Sequence, residues 1–388
     1  MGHFLSFLRL LDRFSVRLAV LYVALFIVLG IYLPFFPLWL KAKGLDAQQI
    51  GIVLAAPMLV RIVAIPATAR LADRYDALRG VMSATLLLAT VGYAVVGLAE
   101  GFLAILVCVV LAAAAHGPAM PLAETYALKG LPARGRAYGP VRLWGSFAFI
   151  AGSFLAGFAT DLIPARELIW LIVAAFALSA FAAFLIEPLH TEPHDNIAAP
   201  RRLLRDPAFL AVIIGSSLIQ GSHAVYYGFS TLAWTQAGLD GSTIAALWAL
   251  GVLAEIVLFA FQGRLPRVLT PAALILLGAA GAILRWLGMA IDPAIAALPL
   301  LQLLHALSFG TTHLGVLMFI TRYAPLRQGA TAQAYLAVAM GLMMACMTTL
   351  AGALFARYGS LAYLAMALAA AIGGACAVAH GARNRLAL

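Results

Sequence analysis

The sequence predicts an all-α membrane protein, with twelve transmembrane helices in two pseudo-symmetric six-helix bundles, and three observations carry that prediction. Hydrophobic residues make up 64% of the chain and charged residues only 10%, where a soluble globule has about a quarter charged. Apolar stretches of about 18 or more residues recur along the whole length, each long enough at ~1.5 Å per residue to cross about 30 Å of hydrocarbon. One longer polar stretch, 187–207, carrying Glu187, Pro188, His190, Glu192, Pro193, His194, Asp195, Pro200, Arg201 and Arg202, divides these segments six and six.

Residues 1–14 read as a short interfacial segment, with Arg9 and Arg13 one helical turn apart, and no cleaved leader is expected. The first bundle, 15–186, holds spans at 15–40, 48–69, 80–98, 102–126, 139–160 and 167–186. After the linker 187–207, the second bundle, 208–380, holds spans at 208–234, 242–263, 270–290, 293–319, 331–355 and 360–380, followed by a tail at 381–388. Continuous apolar runs such as Val81 to Val96 exclude a β-barrel, whose strands alternate between lipid-facing and lumen-facing residues. Pro34 and Pro37 are expected to bend the first helix, Gly117, Pro118 and Pro121 the fourth, and Gly221 and Gly228 to let the seventh flex. Cys108, Cys346 and Cys376 lie inside spans without a CxxC pair, so they read as packing residues.

The net charge of +10 does not form the face of a soluble nucleic-acid-binding domain, because the basic residues sit between hydrophobic spans. They report topology. With the N-terminus inside, eighteen lysines and arginines fall on cytoplasmic segments, against Lys41, Lys43, Arg166 and Arg357 outside, so both termini are assigned to the cytoplasm.

The halves share a signature. The first outer loop of each carries the same tripeptide, Gly44-Leu45-Asp46 and Gly238-Leu239-Asp240, at an offset of 194. Adding 194 to Arg61 gives Glu255, which puts one charged residue of the second helix and one of the eighth at equivalent depth, an arrangement typical of secondary transporters. The inner loops Arg70-Leu71-Ala72-Asp73-Arg74 and Arg264-Leu265-Pro266-Arg267 also correspond. The positive-inside rule accounts for their arginines but not for Asp73, so Asp73 and Arg74 are read as a cytoplasmic gate.

Five charges lie within the spans: Arg61, Glu124, Arg142, Glu255 and Arg285. A charge at the bilayer centre costs roughly 2.5 to 3.5 kcal/mol on insertion scales, so such residues face a path, a partner or a substrate. Three arginines against two glutamates leave a positive excess, which points to an anionic cargo.

The loop at 70–74 resembles the G-x-L-A-D-R loop of the major facilitator superfamily, with Ala69 in place of glycine. The strings PFFPLWLKAKGL (34–45), YGPVRLWGS (138–146), QGSHAVYYGFS (220–230), LWALGVLAEI (247–256) and LLHALSFGTTH (303–313) resemble the 3-phenylpropionate permease family within it. That resemblance implies an inner-membrane proton symporter for an arylalkyl carboxylate. A more distant resemblance is to the lactose permease family, on the spacing of Glu124 and Arg142, on Gly139 and Trp144-Gly145, and on Arg285 and His305. It implies substrate binding by the first pair and proton coupling by the second. Ser308 stands where that family has its proton-carrying carboxylate, and Glu255 is the remaining carboxylate in the helices of the second half.

Glu255, Arg285 and His305 are therefore the candidate coupling group, with a structural Glu255 ion pair, and an Arg285 that snorkels to the interface, as the alternatives. Arg61, Glu124, Arg142, Tyr226, Tyr227, Trp248 and His305 are the candidate substrate contacts. Arginine offers a carboxylate two parallel hydrogen bonds and the aromatic rings offer an aryl group a flat surface. Glu124 with Arg142 also fits an inner gate, and Arg61 has no local partner in sequence. His305, Ser308 and Thr312 are expected on one stripe of the tenth helix, and Trp39 and Trp234 in the aromatic belt. No metal cluster, nucleotide loop or nucleophile elbow is present, so neither catalysis nor a cofactor is expected and the proton gradient is the driving force. The expected partners are a small anionic substrate, protons and the lipid bilayer, with no nucleic acid and a monomeric chain. An exporter or antiporter of amphipathic compounds, and a symporter of a sugar or nucleoside, are the alternatives.

Overall fold

The computed structural model describes residues 13–189, 203–264, 269–324 and 328–379. The expected interfacial segment (1–14), most of the linker (187–207) and the tail (381–388) lie largely or wholly outside those residues. The described chain is built from helices. Among the described residues eleven stretches are long and apolar enough to cross a membrane. The eleventh, Thr331–Ala377, contains parts of two helices separated by a turn at Gly359–Leu361.

In chain order the helices are α1 (Arg13–Ala42), α2 (Ala47–Arg74), α3 (Leu78–Leu98), α4 (Phe102–His116), α5 (Ala119–Gly130), α6 (Tyr138–Leu162) and α7 (Leu168–Leu185). They continue with α8 (Pro207–Gly221), α9 (Ala224–Gln236), α10 (Gly241–Phe261), α11 (Pro271–Ala290), α12 (Leu298–Leu303), α13 (Thr312–Tyr323), α14 (Gly329–Tyr358) and α15 (Ala362–Ala379).

The repeated tripeptide has one structural job in both places. Gly44 and Gly238 adopt φ of 87° and 85°, the left-handed region that glycine enters without steric cost, and each ends a helix. The aspartate two residues on caps the next helix, Asp46 Oδ1 accepting from the Gln49 N–H at 2.8 Å and Asp240 Oδ1 from the Thr243 N–H at 2.6 Å. Gln49 Oε1 accepts from the Asp46 N–H in return, completing a capping box at the start of α2.

The chain forms two compact units, and α2 and α10 are each divided between them. One unit takes α1, the part of α2 from Val60 onward, α3 to α7 and Leu239–Ala245; the other takes Asp46–Leu59, α8, α9, the rest of α10 and α11 to α15. In the first unit α1 packs along α6 and α7, and α3 along α4 and α7. In the second, α8 packs on α14 and α15, and α11 on α13 and α15. Missing side chains permit the closest approaches, as in membrane bundles generally. A Cβ on Gly30 would lie 2.2 Å from the Phe149 carbonyl oxygen, one on Gly152 2.6 Å from that of Ile27, and the Ser153 hydroxyl donates to the Gly30 carbonyl at 3.0 Å.

Among the described residues three spans are interrupted, and each break carries a histidine. α4 ends at His116, where Pro118 and Pro121 remove two N–H donors and α5 restarts beyond Gly117. α8 and α9 are separated at Ser222–His223. Between α12 and α13 lies a π-helical segment, Ala306–Thr311, directly after His305. This revises the expected single stripe on the tenth helix, because a π turn alters the α-helical register between His305 and Thr312. Pro34 and Pro37 lie inside α1, which runs unbroken through both.

Trp39 and Trp234, expected in the aromatic belt, are instead buried. The Trp39 indole donates to the Arg166 carbonyl at 3.0 Å while Arg166 Nε donates to the Ala42 carbonyl at 3.0 Å, fastening the end of α1 to the segment before α7.

Candidate functional site

In the second unit the interior charges form one connected constellation. Arg285, on α11, is 0% exposed, so burial with partners, and not snorkelling, is how the chain accommodates it. Its Nη1 lies 2.9 Å from His305 Nδ1, its Nη2 donates to Gln302 Oε1 at 2.7 Å, and its guanidinium carbon lies 4.3 Å from the Tyr226 ring centre and 4.9 Å from that of Trp286. A guanidinium can only donate, so His305 Nδ1 is the acceptor and the ring proton sits on Nε2. That nitrogen is 3.6 Å from Glu255 Oε2 on α10, ion-pair range but longer than a good hydrogen bond. A permanent cation, a histidine of assigned tautomer and a carboxylate thus stand in series. Gly251, one turn before Glu255, faces His305, and a Cβ there would lie 3.4 Å from the His305 Cβ and 3.6 Å from its ring.

A second histidine supports the first. His223 is fully buried; its Nδ1 faces the carbonyls of Gln220 at 3.1 Å and Ile219 at 3.3 Å. Its Nε2 is therefore the acceptor for the Ser308 hydroxyl, 3.1 Å away. The π segment positions Ser308 for this contact. Tyr226, Tyr227 and Trp248 lie together, Trp248 being 4.6 Å from Tyr226 and 6.0 Å from Tyr227 between ring centres, with its indole donating to Thr231 Oγ1 at 3.2 Å. Tyr226 and Trp248 are buried and only Tyr227 is partly exposed.

In the first unit, Glu124 on α5 and Arg142 on α6 meet with Oε1 to Nε at 3.4 Å, both side chains about a third exposed. The Tyr138 hydroxyl donates to Glu124 Oε2, and the Arg142 guanidinium carbon lies 4.1 Å from the Phe26 ring centre. Gly145 leaves the space: a Cβ there would lie 2.7 Å from Phe26 and 3.0 Å from Arg142 Nη1.

Arg61, on α2, has the local partner that the sequence did not show. Its Nη2 lies 3.4 Å from His116 Nδ1, and its Nε–H is buried without a hydrogen-bond partner. The stem runs past Gly117, where a Cβ would fall 2.5 Å from Arg61 Cγ. Aromatic rings surround the histidine, with centroids at 6.3 Å for Tyr32, 6.2 Å for Tyr93 and 4.9 Å for Phe176. Asp73 and Arg74 are exposed at the end of α2; Arg74 lies over the Tyr75 ring, and among the described residues no ion pair joins Asp73 to Arg74. No group of three metal-ligating side chains occurs among the described residues.

The sequence matches the MFS_1 like family model over residues 15–365. It is 34% identical over 368 residues to a probable 3-phenylpropionic acid transporter of Escherichia coli strain K12, covering 91% of this chain and 94% of that one. It is also 28% identical to the maltose permease of Geobacillus stearothermophilus, over 87% of this chain and 86% of that one. Among solved structures, the nucleoside transporter NupG superposes with a TM-score of 0.83 at 13% identity, over 95% of this chain and 99% of that one. An auto-inhibited POT family peptide transporter superposes with a TM-score of 0.73 at 13% identity, over 96% and 97%.

Proposed function

The chain belongs to the MFS_1 like family, as a transporter and not an enzyme, and on that premise we propose proton-coupled uptake of an arylalkyl carboxylate such as 3-phenylpropionate. The proposal includes twelve spans in two six-helix bundles alternating access to the two sides of a cell's inner membrane, with both termini cytoplasmic, and a chain that works as a monomer without a cofactor. Glu255, Arg285 and His305 carry the coupling. Arg61, Glu124, Arg142, Tyr226, Tyr227, Trp248 and His305 contact substrate, and Asp73 and Arg74 brace the cytoplasmic gate.

The observation that supports this best is the Arg285, His305 and Glu255 series. Ionised Glu255 is drawn toward the His305 N–H, which Arg285 orients from the other side. A proton on Glu255 removes that attraction, so the polar cluster has two arrangements that differ by one proton. An anion that travels with protons moves without carrying net negative charge, which spares the chain the cost of an unpaired charge in hydrocarbon. The aryl preference follows from the relative described as a probable 3-phenylpropionic acid transporter and from the Tyr226, Tyr227 and Trp248 cluster.

The test is uptake of labelled 3-phenylpropionate into proteoliposomes under an imposed inward proton gradient, with an uncoupler control. Accumulation that collapses with the uncoupler is expected. Protein of verified fold that neither accumulates nor exchanges this acid refutes the substrate.

A further inference from the structure

We infer that Arg61, His116 and Tyr32 form the subsite for the substrate's carboxylate, and that Arg142 and Arg285 are not its primary anchors. This rests on the reading of the chain as a transporter of carboxylates.

Electrostatics selects one arginine of three. Arg142 already has Glu124 at 3.4 Å. Arg285 shares with Arg61 a buried Nε–H that has no partner, but it is 0% exposed with both terminal nitrogens engaged, so an arriving anion does not reach it. Among the described residues no carboxylate lies within ion-pair distance of Arg61, which faces a histidine nitrogen at 3.4 Å and keeps a buried Nε–H without an acceptor. A cation in that setting is stabilised by any anion that reaches it, because pairing recovers the solvation it has lost. Arg61, His116 and Tyr32 are each only partly buried.

The subsite has a counterpart in the pseudo-repeat. The offset of 194 that maps Arg61 onto Glu255 also maps Tyr32 onto Tyr226. The offset takes His116 to Gly310, five residues beyond His305, so the histidines correspond in span and not in position: the first unit holds Tyr32, Arg61 and His116, and the second holds Tyr226, Glu255 and His305. The geometries correspond: the tyrosine and histidine ring centres are 6.3 Å apart in one unit and 6.4 Å in the other. The contact from histidine nitrogen to charged side chain is 3.4 Å in one and 3.6 Å in the other. Each histidine also stands at a break in its span. One scaffold thus appears twice with the charge inverted, the basic copy suited to the anion and the acidic copy to the proton.

Within the subsite Arg61 supplies the charge. His116 is a positioning residue that holds Nη2, and Tyr32, stacked on Phe36 at 4.5 Å and 6.3 Å from the His116 ring centre, offers a ring face for an aryl group.

The test is calorimetric binding of 3-phenylpropionate, hexanoate and uncharged 3-phenylpropanamide to the full chain in lipid nanodiscs. Arg61→Gln is expected to weaken both acids about 30-fold or more, the scale of losing one partner of a buried charged pair, and to leave the amide unaffected. His116→Ala is expected to weaken both acids about 10-fold and His116→Asn, which keeps an acceptor, to restore most of that. Tyr32→Ala should weaken the phenyl acid about 2- to 10-fold and hexanoate less. Gly117→Ala keeps the arginine but displaces its stem, and gives the same reading should Arg61→Gln not fold. Unchanged binding in Arg61→Gln and Gly117→Ala, with loss in Arg142→Gln, overturns the inference while the substrate proposal stands. Hexanoate binding that depends on Arg61, without binding of the phenyl acid, upholds the inference and refutes the aryl substrate. Binding of neither acid to the wild type overturns both.

Discussion

Gly30→Ala tests the packing that carries Tyr32, two residues further along α1. The added Cβ would lie 2.2 Å from the Phe149 carbonyl oxygen and 3.0 Å from the Ser153 N, so α1 and α6 must separate by about an ångström. Overpacking of this kind costs about 1 to 3 kcal/mol. Separation also weakens the bond from Ser153 Oγ to the Gly30 carbonyl, now 3.0 Å, worth about 0.5 to 1.5 kcal/mol. Against these stands the helix preference of alanine over glycine, up to about 1 kcal/mol. The net expectation is a loss of roughly 1 to 3 kcal/mol, or about a 5- to 150-fold shift in the unfolding equilibrium. The assay is reversible unfolding in mixed micelles titrated with dodecyl sulfate, followed by tryptophan fluorescence. Gly341→Ala on α14, where nothing lies within 4 Å of the added Cβ, is the control and should be neutral or slightly stabilising. Ser153→Ala alone should cost only the hydrogen-bond share. Gly30→Ala with the stability of Gly341→Ala refutes the close approach of α1 and α6.

Three further outcomes are expected. Arg285→Lys loses the fork that serves His305 and Gln302 together, so uptake should fall about tenfold or more while the protein stays folded, because an ammonium cannot span both acceptors; uptake within twofold of wild type refutes the shared bonding. Thr231→Val strips the Trp248 indole of its acceptor, costing about 0.5 to 1.5 kcal/mol in the same unfolding titration; no change refutes that bond. Asp240 is held below the ordinary carboxylate range by hydrogen bonds from Thr243 and Ser242, so its capping contribution is present at neutral pH and fades as acid protonates it. The stability gap between wild type and Asp240→Ala should shrink between pH 5 and about pH 3, and a gap constant over that range contradicts the assignment.

Much of the architecture was legible because membrane spans announce themselves by length and composition. The repeated tripeptide was legible for a sharper reason, since Gly44 and Gly238 stand where the backbone needs positive φ and the aspartates where a helix needs a cap. Pairings carried by the resemblance to the lactose permease family are also in contact: Glu124 meets Arg142, and Arg285 meets His305. The partners that complete these contacts were hidden. Gln302, Tyr138, His116 and Tyr32 are ordinary polar or aromatic residues until three-dimensional packing puts them beside a charge. Nothing in the spacing of His116 from Arg61 ties it to the helix that carries the arginine. The π segment was equally silent, because the apolar pattern of 293–319 reads as one helix whichever hydrogen-bond ladder it uses.

The measurement that tests the central claim most directly is substrate-driven proton movement. Proteoliposomes in weakly buffered medium, with no imposed gradient, receive 3-phenylpropionate while an external electrode follows pH. Alkalinisation of the medium on addition, abolished by uncoupler and lost in Glu255→Gln while that variant still exchanges labelled substrate, is the predicted result. Substrate entry with no pH change in the wild type, or full proton movement in Glu255→Gln, contradicts the account.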